Sequence, residues 1–396
     1  MRVAIDVSAI PDDPAGAGVY VLELVKALGM VPSNELELHL IARHDDEARW
    51  HSVAPVATIH GVVPINRGSR LAWEQMLAPR LAKQIEADVW HGPHYTIPLM
   101  MPTSKSSRQR KGPAVVVTVH DLTFFDHPEW HERSKVAYFR PMIRAAARRA
   151  QVLIGVSQWT SKRLIELIGP NAAVVTIAHG VDHTRFFPSD PEQKVRDLTA
   201  LAALGIHQPF IGFAGTIEPR KNIPALIRSF DAIADDHLNL QLAIAGQPGW
   251  GTDEVDKAIA KSRHPDRIIL AGYVESKVIP AMFRQAAVVA YPSLEEGFGL
   301  PALEAMACAA PLVTTTGSAM EEVVGETGLL VAPNDEPALT QALSKLMNDP
   351  NRREALGFGG PSKASSFTWQ RCAQLHIEAY QLAIARATPK NNQAEN

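Results

Sequence analysis

The chain is poor in cysteine: among 396 residues only Cys308 and Cys372 occur. Two are too few for a disulfide framework or a cysteine-rich zinc site, and they fit a reducing compartment. Charge surplus is also missing. Lys and Arg number 39 against 42 Asp and Glu, a formal charge of −3, which gives no footing for nucleic-acid binding. No apolar run approaches the ~18 residues of a membrane-spanning helix. The opening "MRVAIDVSAI" breaks its apolar run at Asp6, too early for a signal peptide. These absences predict a cytoplasmic protein, one still able to work at the inner face of a membrane. No complete Gly-x-Gly-x-x-Gly fingerprint is present, and no Asp-x-Asp metal motif stands out.

What is present is length and apolar content. A chain of 396 residues exceeds one ordinary core, and 46% hydrophobic residues suffice for two. Short apolar runs alternate with helical patterns throughout. "VAIDVSAI", "LELHLIA", "VVVTVHDL", "VLIGVS" and "VVTIAHGV" read as strands in the first half. "FIGFAGT", "LQLAIAG", "RIILAGYV", "AAVVAYPS" and "APLVTTT" repeat the theme. Continuous apolar strands with turn residues at their carboxyl ends predict doubly wound parallel sheets in an α/β fold. The Pro-punctuated stretch from Pro188 to Pro209 suggests domains of about 1–188 and 208–370. The helical pattern at about 371–388 suggests a return to the first domain, and the tail "TPKNNQAEN" reads as disordered.

In open parallel sheets, ligands bind beyond the carboxyl ends of strands. Gly16 and Gly18 precede a helix there, so they form either an ordinary Gly-rich turn or an anion-facing helix start. His120 and Asp121 follow the strand "VVVTV". A histidine at that place is either a core residue or a donor to a substrate oxygen. His91, His94 and Tyr95 follow another strand end and read as lining or structural, because no acidic or Cys partner stands at a metal-ligand spacing.

In the second half, Arg220 and Lys221 precede a helix that Asn222 is placed to cap. They are either a solvated pair or a site for a phosphate or diphosphate. Gly246 and Gly249 follow a strand and suit close approach of a ring or sugar. "SLEEGFGLPALEAMACAAP" sets Glu296 on a loop and Glu304 in the helix that Pro301 opens. Gly297 and Gly299 between them permit unusual backbone geometry. Carboxylates accept hydrogen bonds from vicinal sugar hydroxyls, although an isolated pair of this kind is equally a dipole-complementing surface feature.

Taken together, "GAGVYVLELVKAL", "HGPHYTIPL", "VTVHDLTFFDHPEW", "IAHGVDHTRFFP", "FAGTIEPRKNI", "LAIAGQPGWG", "LAGYV" and "EGFGLPALEAMA" resemble the retaining nucleotide-sugar-dependent glycosyltransferases of family 4, mannosyltransferase-like branch. The resemblance runs almost end to end and implies the GT-B fold: two Rossmann-like domains facing across a cleft. The first would serve the acceptor and the second the nucleotide sugar. It implies GDP-mannose as donor, with a UDP-sugar as the alternative, and a glycan, lipid-linked saccharide or glycolipid as acceptor. It implies no cofactor. Gly16 and Gly18 would approach the diphosphate or the acceptor, and His120, with Asp121 beside it, the transferred sugar. Arg220 and Lys221 would hold the diphosphate in place of a metal ion. Glu296 would bind the sugar hydroxyls, beside the amides of Gly297, Phe298, Gly299 and Leu300. Glu304 would hold the ribose, Val274 the base, and Gly246 the approaching ring.

The sequence departs from that family at Thr216, where many relatives carry Arg, at Ala309 for Gly, and at Glu321 for Pro. The last two are expected beside the donor pocket. A glycoside hydrolase using Glu296 and Glu304 as its carboxyl pair competes with this reading, as does a non-catalytic nucleotide-sugar binder. Arg140, Arg144 and Arg148 recur every fourth residue as a stripe that docks on anionic lipid or is simply solvated. The basic run Lys105 to Gly112 reads as a loop on the acceptor side.

Overall fold

The computed structural model describes residues 1–102, 112–170 and 172–388. Lys105 to Lys111 of the basic run, and the tail beyond Thr388, lie outside the described residues. The chain forms two compact units, residues 1–179 with 369–396, and residues 180–368.

The first unit contains strands β1 (Arg2–Asp6), β2 (Glu37–Arg43), β3 (Thr58–Val63), β4 (Val89–Gly92), β5 (Ala114–Val119), β6 (Val152–Gly155) and β7 (Val174–Thr176). Its helices are α1 (Ala17–Leu28), α2 (Glu47–Val53), α3 (Arg67–Met76), α4 (Ala78–Gln84), α5 (Thr123–Asp126), α6 (Arg133–Arg149) and α7 (Gln158–Ile168). The strands pair in the order β3-β2-β1-β4-β5-β6-β7, every pair parallel. The apolar run "AVVVTV" is buried at every position of β5, as a strand covered on both faces must be. β3 was not apparent in the sequence. It is a half-exposed edge strand, so its apolar signal is diluted.

The second unit contains β8 (Phe210–Ala214), β9 (Gln241–Ala245), β10 (Ile268–Gly272), β11 (Val288–Tyr291), β12 (Leu312–Thr315) and β13 (Leu329–Val331). Its helices are α8 (Pro191–Ala202), α9 (Ile223–Ala234), α10 (Asp253–Lys261), α11 (Ile279–Gln285), α12 (Leu300–Ala307), α13 (Ala319–Val324), α14 (Glu336–Asn348) and α15 (Pro350–Ala364). Strand order is β10-β9-β8-β11-β12-β13, again all parallel. The two sheets are thus α/β Rossmann-like. α8 packs on α11. Asp197 and Arg284 anchor that contact with a buried ion pair at 2.7 Å.

The last helix, α16 (Trp369–Ala387), belongs to the first unit and packs on α1 and β5. A buried hydrogen-bond chain holds it there, and its proton order follows from its ends. His376 Nδ1–H donates to the Cys372 carbonyl at 2.8 Å, so Nε2 accepts from the Tyr20 hydroxyl at 2.8 Å. Tyr20 then accepts from Thr118 at 2.9 Å, and Thr118 from His91 Nε2–H at 2.9 Å. His91 Nδ1 accepts from the Tyr380 hydroxyl at 2.9 Å. Burial pushes His91 far down and His376 down to about 4, so both rings stay neutral. His91 is therefore a structural residue of the α16 contact.

The arginine stripe of α6 is partly consumed inside the fold. Arg140 donates to the carbonyls of Phe124 (2.6 Å) and Phe125 (3.0 Å). Arg140 and Arg144 both lie over the Phe125 ring, 5.7 and 5.1 Å from its centre. The even basic face expected from the spacing is therefore reduced, with Arg144 and Arg148 its exposed members. Among the described residues no helix is long and apolar enough to cross a membrane.

Candidate active site

In the second unit the chain order reverses between β8 and β11, and the loops after these strands carry the charged residues. After β8, a 3-10 turn, Pro219–Lys221, sets Arg220 and Lys221 ahead of α9. After β11, residues 292–299 lead to α12. The two loops are tied by the Leu294 N–H, which donates to the Arg220 carbonyl at 2.7 Å. Asn222 occupies the N-cap position of α9 with φ +53°, and its side chain makes no cap hydrogen bond, contrary to the expectation from its residue type. The left-handed backbone turns that side chain away from the first-turn amides.

This geometry brings Glu296 between two cations. Lys221 Nζ donates to Glu296 Oε1 and Arg220 Nη1 to Oε2, each at 2.5 Å. Arg220 Nε also pairs with Glu218 at 2.6 Å, a contact the sequence reading missed. Glu218 stands two residues before Arg220, and an Arg with two carboxylates leaves no signature in spacing. Glu218, Lys221 and Glu296 are buried, each 8% exposed. Burial opposes ionisation of Glu296, but the charges and hydrogen bonds of Arg220 and Lys221 outweigh it and hold its pKa down to about 2. A carboxylate clamped by two cations is a poor general acid, which weighs against the hydrolase reading.

α12 starts one residue before Pro301, so the proline is the second helical residue rather than the first. Gly299 caps the helix with φ +94°, and a Cβ there would meet Met320 Sδ at 2.2 Å. Gly297 does not share the left-handed conformation. Leu300 and Phe298 are buried, and Phe298 sits edge-on to Phe367, their rings 6.2 Å apart. Glu304 lies in the second turn of α12, half-buried. Val274, just past β10, is buried.

Gly246 and Gly249 have a packing cause inside the fold. A Cβ on Gly246 would meet the Gly215 carbonyl at 1.9 Å, and one on Gly249 the Ile217 carbonyl at 2.8 Å. Both glycines let the β9–α10 loop lie against the loop that leads to Arg220. Ala309 stands at the opposite end of α12 from the ion-pair cluster, with φ +59°. It therefore acts on the helix terminus. Glu321 accepts from the Gly317 N–H at 3.0 Å ahead of α13.

The remaining candidates lie in the first unit. Gly16 caps α1 with φ +51° and open space where its Cβ would stand, whereas Gly18 packs against Pro14. His120 is buried, and its Nε2–H donates to the Pro93 carbonyl at 2.8 Å. Burial lowers its pKa, so the ring is neutral with its proton committed to Pro93. Donation from His120 to a substrate oxygen thus requires a second proton on Nδ1. Asp121 Oδ1 accepts from the Thr123 N–H (3.1 Å) and hydroxyl (2.7 Å), a local turn. The Tyr95 hydroxyl accepts from the Asp121 N–H at 3.1 Å.

Comparison with known proteins identifies the family. Residues 14–185 match the model of Glycosyltransferase Family 4, and residues 208–349 that of Glycosyl transferases group 1. An O-antigen chain mannosyltransferase B of Escherichia coli is 28% identical over 96% of this chain and 100% of its own length. An MMP alpha-(1->4)-mannosyltransferase of Mycolicibacterium hassiacum is 29% identical over 70% of this chain and 67% of its own. Among solved structures, a sucrose-phosphate synthase from Thermosynechococcus elongatus superposes with TM-score 0.76 at 21% identity, covering 97% of this chain and 99% of that one. Two matched domains, each a parallel Rossmann-like sheet, and relatives aligned end to end leave one assignment: the chain belongs to the family 4 (group 1) glycosyltransferases of the GT-B fold.

Proposed function

We propose that this glycosyltransferase is a retaining hexosyltransferase that moves mannose from GDP-mannose to a hydroxyl of a glycan, lipid-linked saccharide or glycolipid. The observation that carries the reading is the buried Arg220–Glu296–Lys221 cluster where the second sheet reverses its strand order. A diphosphate leaving group needs fixed positive charge as the sugar becomes oxocarbenium-like. Arg220 and Lys221 supply it, so the reaction needs no metal ion. Glu296, ionised at any working pH, orients them and accepts from the sugar hydroxyls. Glu304, one helical turn and more along α12, receives the ribose. His120 and Gly16, from the first unit, serve the transferred sugar and the acceptor side.

In the chemical step the bond from the anomeric carbon to the diphosphate oxygen breaks. A bond to the acceptor oxygen forms on the same face, and the acceptor proton passes to a donor phosphate oxygen. No protein nucleophile takes part. The names of relatives support mannose: one is an O-antigen chain mannosyltransferase and another a GDP-mannose-dependent phosphatidylinositol monomannoside mannosyltransferase, 28% identical over 69% of this chain.

Thermal-shift measurements with GDP, UDP and ADP and their sugar conjugates test the donor. GDP and GDP-mannose are expected to raise the Tm most. A shift confined to UDP ligands replaces the donor by a UDP-sugar, and no shift with any nucleotide refutes the reading. The anomeric configuration of the product, by NMR, tests retention.

A further inference from the structure

The stretch "GPHYT" leaves β4 by an unusual turn. The ladder of β4 on β5 runs from Val89↔Ala114 to Gly92↔Val117. Pro93 has no N–H to extend it, and the chain folds back at once. Only a glycine permits this at position 92, where a Cβ would meet the Thr96 carbonyl oxygen at 2.1 Å. The Thr96 N–H donates to the His94 carbonyl at 2.7 Å. That bond closes a three-residue turn around Tyr95, whose φ is +62°. A positive φ at the centre of such a turn is its rare and strained form, and on a bulky aromatic residue it is an outlier.

We propose that Tyr95 is a positioning residue for the transfer step: its strained turn holds His120, at the end of β5, as a single tautomer with the proton on Nε2. The proposal rests on the glycosyltransferase reading, in which His120 serves the transferred sugar. Tyr95 acts through His120 and not by contact with a substrate.

The contacts of this one turn bracket His120. The Tyr95 N–H donates to the Thr118 carbonyl at 3.0 Å, two residues before the histidine. The Tyr95 hydroxyl accepts from the Asp121 N–H at 3.1 Å, one residue after it. Between these two bonds the Tyr95 ring meets the His120 ring edge-on, 5.6 Å between centres and 80° between planes. The same turn supplies the Pro93 carbonyl that accepts from His120 Nε2–H at 2.8 Å. Backbone position on both sides, ring inclination and proton placement are thus all set from residues 93–95. A neutral imidazole whose one proton is committed to a carbonyl has one tautomer.

A strained backbone persists only where its surroundings over-determine it, and such residues concentrate at functional sites. Tyr95 is 3% exposed. Phe124 from α5 and Phe139 from α6 hold its ring from two sides, with ring centres 6.0 and 5.8 Å away. Packing alone would be satisfied by a phenylalanine, which has no hydroxyl for the Asp121 N–H. Burial lowers the pKa of His120 and takes its neighbour His94 down to about 3. Both rings are neutral, so the turn governs which nitrogen of His120 carries the proton and not whether the ring is charged.

The test is ring-nitrogen NMR of the full chain labelled at histidine, with the His120 signals assigned by their loss in His120→Gln. Release of GDP from GDP-mannose, with methyl α-mannopyranoside as acceptor, is measured alongside. At neutral pH the wild-type His120 ring is expected as the Nε2–H tautomer alone, and a mixture there overturns the proposal without any variant. Tyr95→Phe keeps the buried ring and removes only the hydroxyl, so the strained turn is free to relax. Both tautomers of His120 should then appear, and kcat should fall about tenfold or more while GDP affinity is unchanged. A single tautomer in Tyr95→Phe, an unchanged kcat, or equal losses of kcat and GDP affinity overturns the proposal. Nucleotide thermal shifts on the same samples separate the two readings. If no nucleotide raises the Tm, the glycosyltransferase reading fails, and the ring signals still decide this inference.

Discussion

Lys221 Nζ and Glu296 Oε1 stand 2.5 Å apart with both side chains about nine-tenths buried. Arg220 shares the same carboxylate and a second one, Glu218. Two carboxylates thus hold two cations in fixed positions, which sets the positive groups in advance where a diphosphate is proposed to sit.

A buried ion pair of this kind separates stability from chemistry. Lys221→Ala leaves Glu296 with one cation in low dielectric and should cost about 3 kcal/mol, within the range for broken buried pairs. Replacing both Lys221 and Glu296 by Met should recover most of that loss, because no uncompensated charge remains. Turnover should stay about 100-fold or more down in both variants. Denaturation curves and turnover assays on the single and double variants check this. Recovery of activity together with stability would show the pair to be structural only.

The carboxyls of the two units should give opposite pH profiles. Folding lowers Glu296 from 4.5 to about 2, so the native state binds fewer protons than the unfolded chain between those values. Its contribution is complete above about pH 4.5 and is lost as pH falls toward 2. Folding raises Glu74 from 4.5 to about 8, so its contribution is largest at low pH and declines as pH rises through that window. Glu74→Gln should therefore stabilise the protein at pH 8 and do little at pH 4.5. Melting curves of wild type and Glu74→Gln at the two pH values decide it.

Ala309 is an alanine in glycine's backbone. Its φ is +59°, and the Ala310 N–H reaches back to the Ala305 carbonyl at 3.0 Å, the closing bond of a helix C-terminus. Ala309→Gly should relieve strain and stabilise the second unit by up to about 1 kcal/mol, without altering donor preference. A changed ratio of GDP to UDP binding in this variant would contradict the placement of Ala309 at the far end of α12.

Gly246, at a strand end, and Gly16, at a helix N-terminus, should respond differently to alanine. Gly246→Ala drives a Cβ to 1.9 Å from a carbonyl oxygen and should cost several kcal/mol, roughly the scale of severe overpacking. Gly16→Ala meets no atom within 4 Å and strains only its φ of +51°, worth about 1–2 kcal/mol. Urea titration of the two variants compares them directly, and equal losses would refute the steric account of Gly246.

The α/β alternation was legible because most strands here are buried on both faces, so their apolar runs are unbroken. The residues at strand ends were legible as charged or glycine residues at turns, and Arg220, Lys221 and Glu296 do converge. Three features left no pattern in the sequence. The three-residue strand β13 is too short to carry a period. Glu218 enters the cluster through tertiary pairing. Asp6 and Glu74 are 68 positions apart and meet only because β1 and α3 share one end of a sheet. Asp6 was visible as an interruption of the first apolar run, yet its partner depends on topology. Conversely, Gly246 suggested a ligand where neighbouring backbone accounts for the missing side chain.

The placement of α16 sets an order of synthesis. Tyr380 and His376 complete a hydrogen-bond chain that starts on α1 and β5, so a segment made after the second unit closes the core of one made before it. A nascent chain emerging from the ribosome carries an unfinished first unit through the whole synthesis of the second. The second unit is contiguous and free to fold as soon as its own residues are out. Premature termination before Trp369 would therefore spare the half nearer the break and cripple the half farther from it. In this protein a late stop codon is an early-domain lesion.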